Sequence, residues 1–252
     1  MKYVRCIPAY VDFITAMLKA EKYRKTIEQS RTSGDFVSER EGIRRACLTF
    51  VDHLIEKWDF HINITGAENL PAEGPVVYIS NHQSYADALG TLKLISENHQ
   101  IGYIGKDYFG KIPYFGKWVT RTRCLYVQRG NTRNSLRIIG EGVDYLKDGF
   151  SLLIFPEGTR SKTEQLGEFK PGSFKLATKA GVPIIPLSLN DGRRLYEDQE
   201  YVKKGTKIDI IVHPPIQTAG LSRAELAEIP ARVEEIIRRG VEELQSQSVS
   251  TK

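Results

Sequence analysis

From residue 60 onward the chain alternates short apolar runs, bounded by turn residues, with stretches of helical periodicity, and no other feature narrows its possible folds as far. The runs "FHINIT", "PVVYIS", "IGYIG", "CLYV", "SLLIF", "PIIPLSL" and "KIDIIV" read as strands. Helix-like segments lie between several of them, at roughly 86–96, 132–147 and 172–180. Alternation of this kind points to an α/β fold, a mostly parallel sheet flanked by helices. With 252 residues, 40% of them hydrophobic, the chain has enough apolar mass for such a core. Past the last run, Ser222 and Glu225 form a candidate capping box, Pro230 a candidate start for a second C-terminal helix, and residues 246–252 are expected to fray.

Residues 1–59 have a different texture and form a candidate unit of their own, preceding an α/β unit at 60–245. Residues 1–31 carry seven Lys/Arg against three acidic residues, which is most of the net charge of +5. Ile7, Tyr10, Val11, Ile14, Met17 and Leu18 recur at helical spacing from about Pro8, and Lys19, Lys22, Arg24 and Lys25 follow. A second stripe, Ile43, Cys47, Phe50, Val51, Leu54, Ile55 and Trp58, lies beyond the turn-like "SRTSGD". Two readings stand together: a helical hairpin capping the core, and an amphipathic anchor on anionic lipid.

Three scattered cysteines, Cys6, Cys47 and Cys124, encode neither a disulfide framework nor a zinc site, so no metal is expected and a reducing, intracellular compartment fits best. No run approaches the roughly 20 apolar residues that span a bilayer, and the N-terminus lacks the pattern of a signal peptide.

The stretch "NHQSYAD", residues 81–87, follows the run "PVVYIS". On a regular helix an offset of five residues turns through about 500°, so His82 and Asp87 can meet only if His82 lies in the turn before a helix. There the carboxylate could hold one ring nitrogen and leave the other free as a general base. The competing reading is structural, because Asn81, Ser84 and Asp87 are all good helix caps. No other histidine has a carboxylate at that offset: His53, His61, His99 and His213 are followed there by Trp58, Gly66, Ile104 and Thr218.

The second constellation, "FPEGTRSKTEQLGEFKPGS", follows the run "SLLIF". Arg160 offers a planar fork suited to phosphate, Thr159 and backbone amides add donors, and Lys170 adds charge; an ordinary exposed turn explains the same residues. Between the two stretches, Lys106, Lys111, Lys117, Arg121, Arg123 and Arg129 gather among aromatics. The segment contains no recognisable nucleic-acid module, so nucleic acid is not an expected partner, and an anionic small substrate accounts for it equally well.

"NHQSYAD", then "FPEGTRS" about seventy residues later, then "FKPG" and "VPIIPL", closely resemble the glycerolipid acyltransferase family, whose best-known members acylate lysophosphatidic acid or glycerol 3-phosphate. By that resemblance the fold is glycerol-3-phosphate acyltransferase-like, His82 is the base and Asp87 its partner. Glu157, Gly158, Thr159 and Arg160 belong to the phosphate-acceptor site, Lys106 and Arg129 to the second motif block, and Pro186 to the fourth. The second block departs from the family pattern, with Arg123 in place of a glycine and Gln128 in place of an aspartate.

The resemblance implies O-acyl transfer from a thioester, acyl-coenzyme A or acyl carrier protein, to the hydroxyl of 1-acylglycerol-3-phosphate, giving phosphatidic acid without a bound cofactor. Glycerol 3-phosphate or another lysolipid is the alternative acceptor, and a non-catalytic lipid-binding protein on the same fold is the alternative class. The absence of a Gly-x-Ser-x-Gly stretch disfavours a serine hydrolase. The implied location is peripheral, on the cytoplasmic side of a membrane, which in a bacterium is the inner membrane.

Overall fold

The computed structural model describes residues 2–128, 130–161, 163 and 165–250, with side chains over 7–248 of these. Helix α1 (Lys2–Ala20) passes through the 3₁₀ turn Glu21–Tyr23 into α2 (Arg24–Ser33). Gly34, at φ 75°, ends α2 in the left-handed conformation, and the Asp35 side chain opens α3 (Phe36–Trp58) by accepting from the Ser38 N–H. The expected helical pair is therefore present, with its first arm built from two helices and its turn shortened to Gly34 and Asp35. There follow β1 (Phe60–Thr65), β2 (Val77–Ser80), α4 (Tyr85–Ser96), β3 (Gly102–Lys106), α5 (Tyr108–Lys111), α6 (Phe115–Arg121), β4 (Leu125–Val127), α7 (Thr132–Lys147), β5 (Leu152–Ile154), α8 (Lys175–Ala180), β6 (Ile184–Asn190), β7 (Thr206–Val212) and α9 (Arg223–Ser250).

The strands form one seven-stranded sheet in the order β1-β7-β6-β2-β5-β3-β4. Every pairing is parallel except that of β6 with β7, so the sheet is mostly parallel, as the alternation predicts. Because side chains alternate across a strand, β2 feeds two cores at once. Tyr78 packs with Leu54, Leu94, Leu153, Leu187 and Ile210 beneath α3 and α4. Val77 and Ile79 pack on the opposite face with Ile138, Leu152, Leu176, Val233 and Ile237 from α7, α8 and α9 and the sheet. Burial on both faces is why β2, β5 and β6 read as unbroken apolar runs.

Helix α9 is continuous through Pro230 and reaches Ser250, which corrects the second start expected at the proline and, as far as Ser250, the fraying expected over 246–252, whose last two residues lie outside the described residues. Ile229, Val233, Ile237, Val241 and Leu244 make one buried stripe along the helix, and this burial holds the helix together around a ring that removes a single intrahelical N–H. Ser248 also donates to Asp191 Oδ2 at 3.0 Å, fastening the last turn beyond β6.

Helix α1 has two apolar faces. Ala16, Met17 and Ala20 are buried, whereas Ile7, Tyr10, Val11 and Leu18 are 54–67% exposed. The cations that follow are partly committed within the protein: Lys19 Nζ lies 2.9 Å from His53 Nδ1, and Arg24 pairs with Glu21 and Glu28. A buried carboxylate ties these helices to the sheet. Glu39 of α3, fully buried, receives Nε and Nη2 of Arg123, both at 2.7 Å, and Nε of Arg31 at 2.8 Å. Arg123 sits at φ 61°, where a glycine would be unstrained, so the departure from the family pattern has a structural partner. The strain of roughly 1–2 kcal/mol is offset by two charge-assisted hydrogen bonds to Glu39.

Candidate active site

Strands β2, β5 and β6 are neighbours, and β2 lies where successive connections depart to opposite sides, the place where open α/β sheets put their sites. Beyond the end of β2 the Asn81 side chain continues the pairing, accepting from the Leu189 N–H at 2.8 Å and donating to the Leu189 carbonyl at 2.9 Å. The chain then turns through His82 and Gln83 into α4, so His82 lies before the helix and Asp87 in its first turn. Asp87 Oδ2 is 3.0 Å from His82 Nδ1 and accepts the backbone N–H groups of Gln83 at 2.6 Å and Ser84 at 2.7 Å. The capping reading and the histidine-orienting reading of this stretch are therefore both realised, by one carboxylate oxygen. The Asp87 side chain is 2% exposed and that of His82 17%, so the carboxylate is enclosed while the imidazole reaches the surface.

Two neighbours, one a glycine and one an aromatic ring, make this geometry possible. Gly192 packs so closely that a Cβ there would lie 2.5 Å from Asp87 Oδ1. Phe155, just past β5, stacks on the His82 ring at 4.0 Å between centroids and 14° between planes, fixing the imidazole from its face as Asp87 fixes it from its edge.

The "FPEGTRS" turn is joined directly to the histidine turn. Glu157 accepts the His82 N–H through Oε1 at 2.7 Å and the Gly167 N–H through Oε2 at 2.9 Å, and the Ser161 N–H donates to the His82 carbonyl at 2.8 Å. Burial pushes the Glu157 carboxyl above the usual carboxylate range, against the downward pull of these two N–H groups. Gly158 adopts φ +66°, which favours glycine, and a Cβ there would lie 2.7 Å from Lys170 Nζ. Thr159 is exposed, and Arg160 lies over the Tyr85 ring at 3.7 Å from its centroid while pairing with Glu197 at 2.9 Å.

A family model described as Acyltransferase matches residues 61–190, just over half of the chain and the span that holds every residue of this site named so far except Gly192 and Glu197. The chain belongs to the acyltransferase family. A chloroplastic 1-acyl-sn-glycerol-3-phosphate acyltransferase of Arabidopsis thaliana is 35% identical over 159 residues, covering 62% of this chain and 44% of the plant protein. A 1-acyl-sn-glycerol-3-phosphate acyltransferase of Pseudomonas aeruginosa is 30% identical over 172 residues, covering 68% of this chain and 65% of its own. The chain spans somewhat under half the length of the plant relatives, 44% and 45% of the Arabidopsis and Brassica napus proteins. The crystal structure of a 1-acyl-sn-glycerophosphate acyltransferase of Thermotoga maritima shares the fold, with a TM-score of 0.76, 24% identity and coverage of 97% of this chain and 98% of that one.

The residues expected from this acyltransferase pattern do not all converge. His82, Asp87, Glu157, Gly158, Thr159 and Arg160 come together in the two joined turns. Lys106 ends β3, one strand beyond β5. Pro186 is buried within β6, level with Ile79 of β2, and offers its carbonyl to the His213 N–H at 3.0 Å, so it shapes the strand at a distance from the histidine. Arg129 lies outside the described residues. Two residues escaped the sequence reading. Phe155 carried no signal beyond ending an apolar run, and Glu197 sits in "LYEDQE", where nothing distinguishes it from its acidic neighbours.

Proposed function

We propose that this acyltransferase moves an acyl group from a thioester to the free hydroxyl of 1-acylglycerol-3-phosphate, giving phosphatidic acid. The observation that carries the reading is the 3.0 Å contact of His82 Nδ1 with Asp87 Oδ2, in a turn joined to that of Arg160. With Nδ1–H donated to Asp87, Nε2 holds a lone pair. It takes the proton of the acceptor hydroxyl as the oxygen attacks the thioester carbonyl carbon. The tetrahedral adduct collapses with cleavage of the C–S bond, and the leaving sulfur takes the proton from His82, giving free thiol and neutral imidazole. No residue is acylated in this scheme. Arg160, with Gly158 and Thr159 in the same turn, binds the acceptor phosphate through charge-assisted hydrogen bonds, and Lys106, at the end of β3, contributes charge from the same edge of the sheet. The names of the plant and bacterial relatives support this choice of acceptor.

The proposal extends to location. Residues 1–59 serve as a membrane-surface element and 60–245 as the catalytic unit, on the cytoplasmic face of the membrane. Among the described residues no helix is long and apolar enough to cross a membrane. The bare face of α1, with Ile7, Tyr10, Val11 and Leu18, is suited to lie in an anionic lipid interface beside a substrate that the bilayer holds by its acyl chain. The test is to incubate the purified protein with labelled acyl-coenzyme A and acyl-[acyl carrier protein], each against 1-acylglycerol-3-phosphate, glycerol 3-phosphate and a choline lysophospholipid. Phosphatidic acid is the expected product, and the two donors are told apart by rate. Failure to form phosphatidic acid from 1-acylglycerol-3-phosphate with either donor would refute the reading.

A further inference from the structure

Glu197 lies after β6, outside the stretches that carry the family pattern, yet its carboxylate touches both turns of the site. Oε1 accepts the Tyr85 N–H at 2.7 Å and Arg160 Nη1 at 2.9 Å, and Oε2 accepts Ser84 Oγ at 2.7 Å. Its side chain is 12% exposed, against 34% for that of Arg160. The Tyr85 and Ser84 contacts are made with the first turn of α4, the turn that also contains Asp87. We propose that Glu197 is a positioning residue that holds the Arg160 guanidinium in place for the phosphate of the acceptor. This rests on the reading of Arg160 given above.

Two constraints act on one guanidinium. Glu197 takes the Nη1 donor, and the Tyr85 ring, whose own backbone N–H is bound to the same carboxylate oxygen, covers one face of the plane. An arginine has five N–H donors, so a guanidinium anchored at one of them can still present a fork to a second anion. Two donors converge on Oε1, and the Ser84 hydroxyl, which lies near Oε2, also lies 3.0 Å from the Gly192 carbonyl and can donate there instead. A glutamine can keep its oxygen toward Tyr85 and Arg160 and turn its amide toward Ser84 Oγ, which accepts it. Glu197→Gln therefore keeps the cap on α4 and removes the charge that anchors Arg160.

The experiment compares the parent, Glu197→Gln, Arg160→Ala and the double variant. Thermal melting establishes that each is folded. KM and kcat are measured for 1-acylglycerol-3-phosphate, and calorimetric titration gives the affinity for a short-chain lysophosphatidate below its micelle concentration. Glu197→Gln is expected to raise KM and weaken binding roughly five-fold, the difference between a charge-assisted and a neutral hydrogen bond, with the loss falling on KM rather than kcat. In the Arg160→Ala background the same substitution is expected to change neither quantity, because its effect passes through Arg160. An equal loss in both backgrounds, an unchanged or lowered KM and Kd in Glu197→Gln, or a parent that does not bind lysophosphatidate overturns the proposal. A parent that binds lysophosphatidate with the expected dependence on both residues but transfers no acyl group refutes the acyltransferase reading and leaves the role of Glu197 standing.

Discussion

Replacing Asp87 by Asn separates the two tasks that its carboxylate combines. The amide oxygen can take the place of Oδ2 and continue to accept the N–H groups of Gln83 and Ser84, so the first turn of α4 keeps its cap. What disappears is the negative charge 3.0 Å from His82 Nδ1. At that separation and an effective dielectric of about 20, a carboxylate attracts an imidazolium by roughly 5 kcal/mol. About 1.4 kcal/mol is a factor of ten in rate, so complete loss of this attraction would cost close to 10⁴-fold. The amide dipole retains part of it. The expected fall in kcat is therefore about 10²- to 10⁴-fold, with KM for the acceptor little affected. The assay is initial-rate release of thiol from acyl-coenzyme A at saturating 1-acylglycerol-3-phosphate, alongside a thermal melt. A folded Asp87→Asn protein that keeps more than a tenth of the parent kcat would remove the Asp87 charge from the mechanism.

Glu157→Gln replaces one of two buried acceptors by a donor that faces a backbone N–H. The expected loss is about 2 kcal/mol, or roughly 4–8 °C in Tm for a chain of this size, and an unchanged melting temperature would show that the two turns do not depend on the carboxylate. His99 is pushed down to about 4 by burial, from an ordinary 6.5. Between those values the unfolded chain binds the proton and the folded one does not, so the stability His99 contributes is present above 6.5 and lost as the pH falls toward 4. The Tm of the parent minus that of His99→Gln should accordingly shrink over that interval, and a constant difference would contradict the assignment. Changing Ile7, Val11 and Leu18 together to Ser removes three exposed apolar side chains from α1 and should weaken co-sedimentation with anionic vesicles at least roughly tenfold. Parent-like binding by the folded triple variant would place the membrane contact elsewhere.

The central runs of β2, β5 and β6 were legible because burial on both faces leaves unbroken apolar segments, those of β1 and β7 because apolar residues alternate along them, and all seven runs appear in the sheet. The His82–Asp87 contact was legible for a different reason: the offset of five is informative only when a strand end and a cap residue put the histidine ahead of the helix. Helices α5 and α6 were not anticipated, since four and seven residues interrupted by glycine carry too little periodicity. Pro230 misled because proline marks a helix start when local signals decide, whereas here the buried stripe of α9 decides. The partners of Arg160 and Arg123 were invisible for a common reason. Glu197 and Glu39 lie 37 and 84 residues away in the chain, and no spacing rule reaches across a sheet crossing.

The buried carboxylate of Glu39 bears on how such a protein could work at a surface. Parting α3 from the loop before β4 would take both Arg123 hydrogen bonds from the buried Glu39 carboxylate and leave it with Arg31 alone, at a cost of about 3–5 kcal/mol. The N-terminal helices are thus built as a bracket and not as a hinge. If α1 lies flat on a bilayer, its attitude fixes the tilt of the sheet and the height at which His82 meets the headgroup layer. Reach toward the lipid is then set once, in the fold, and an acceptor must rise to a fixed opening instead of being met by a moving lid.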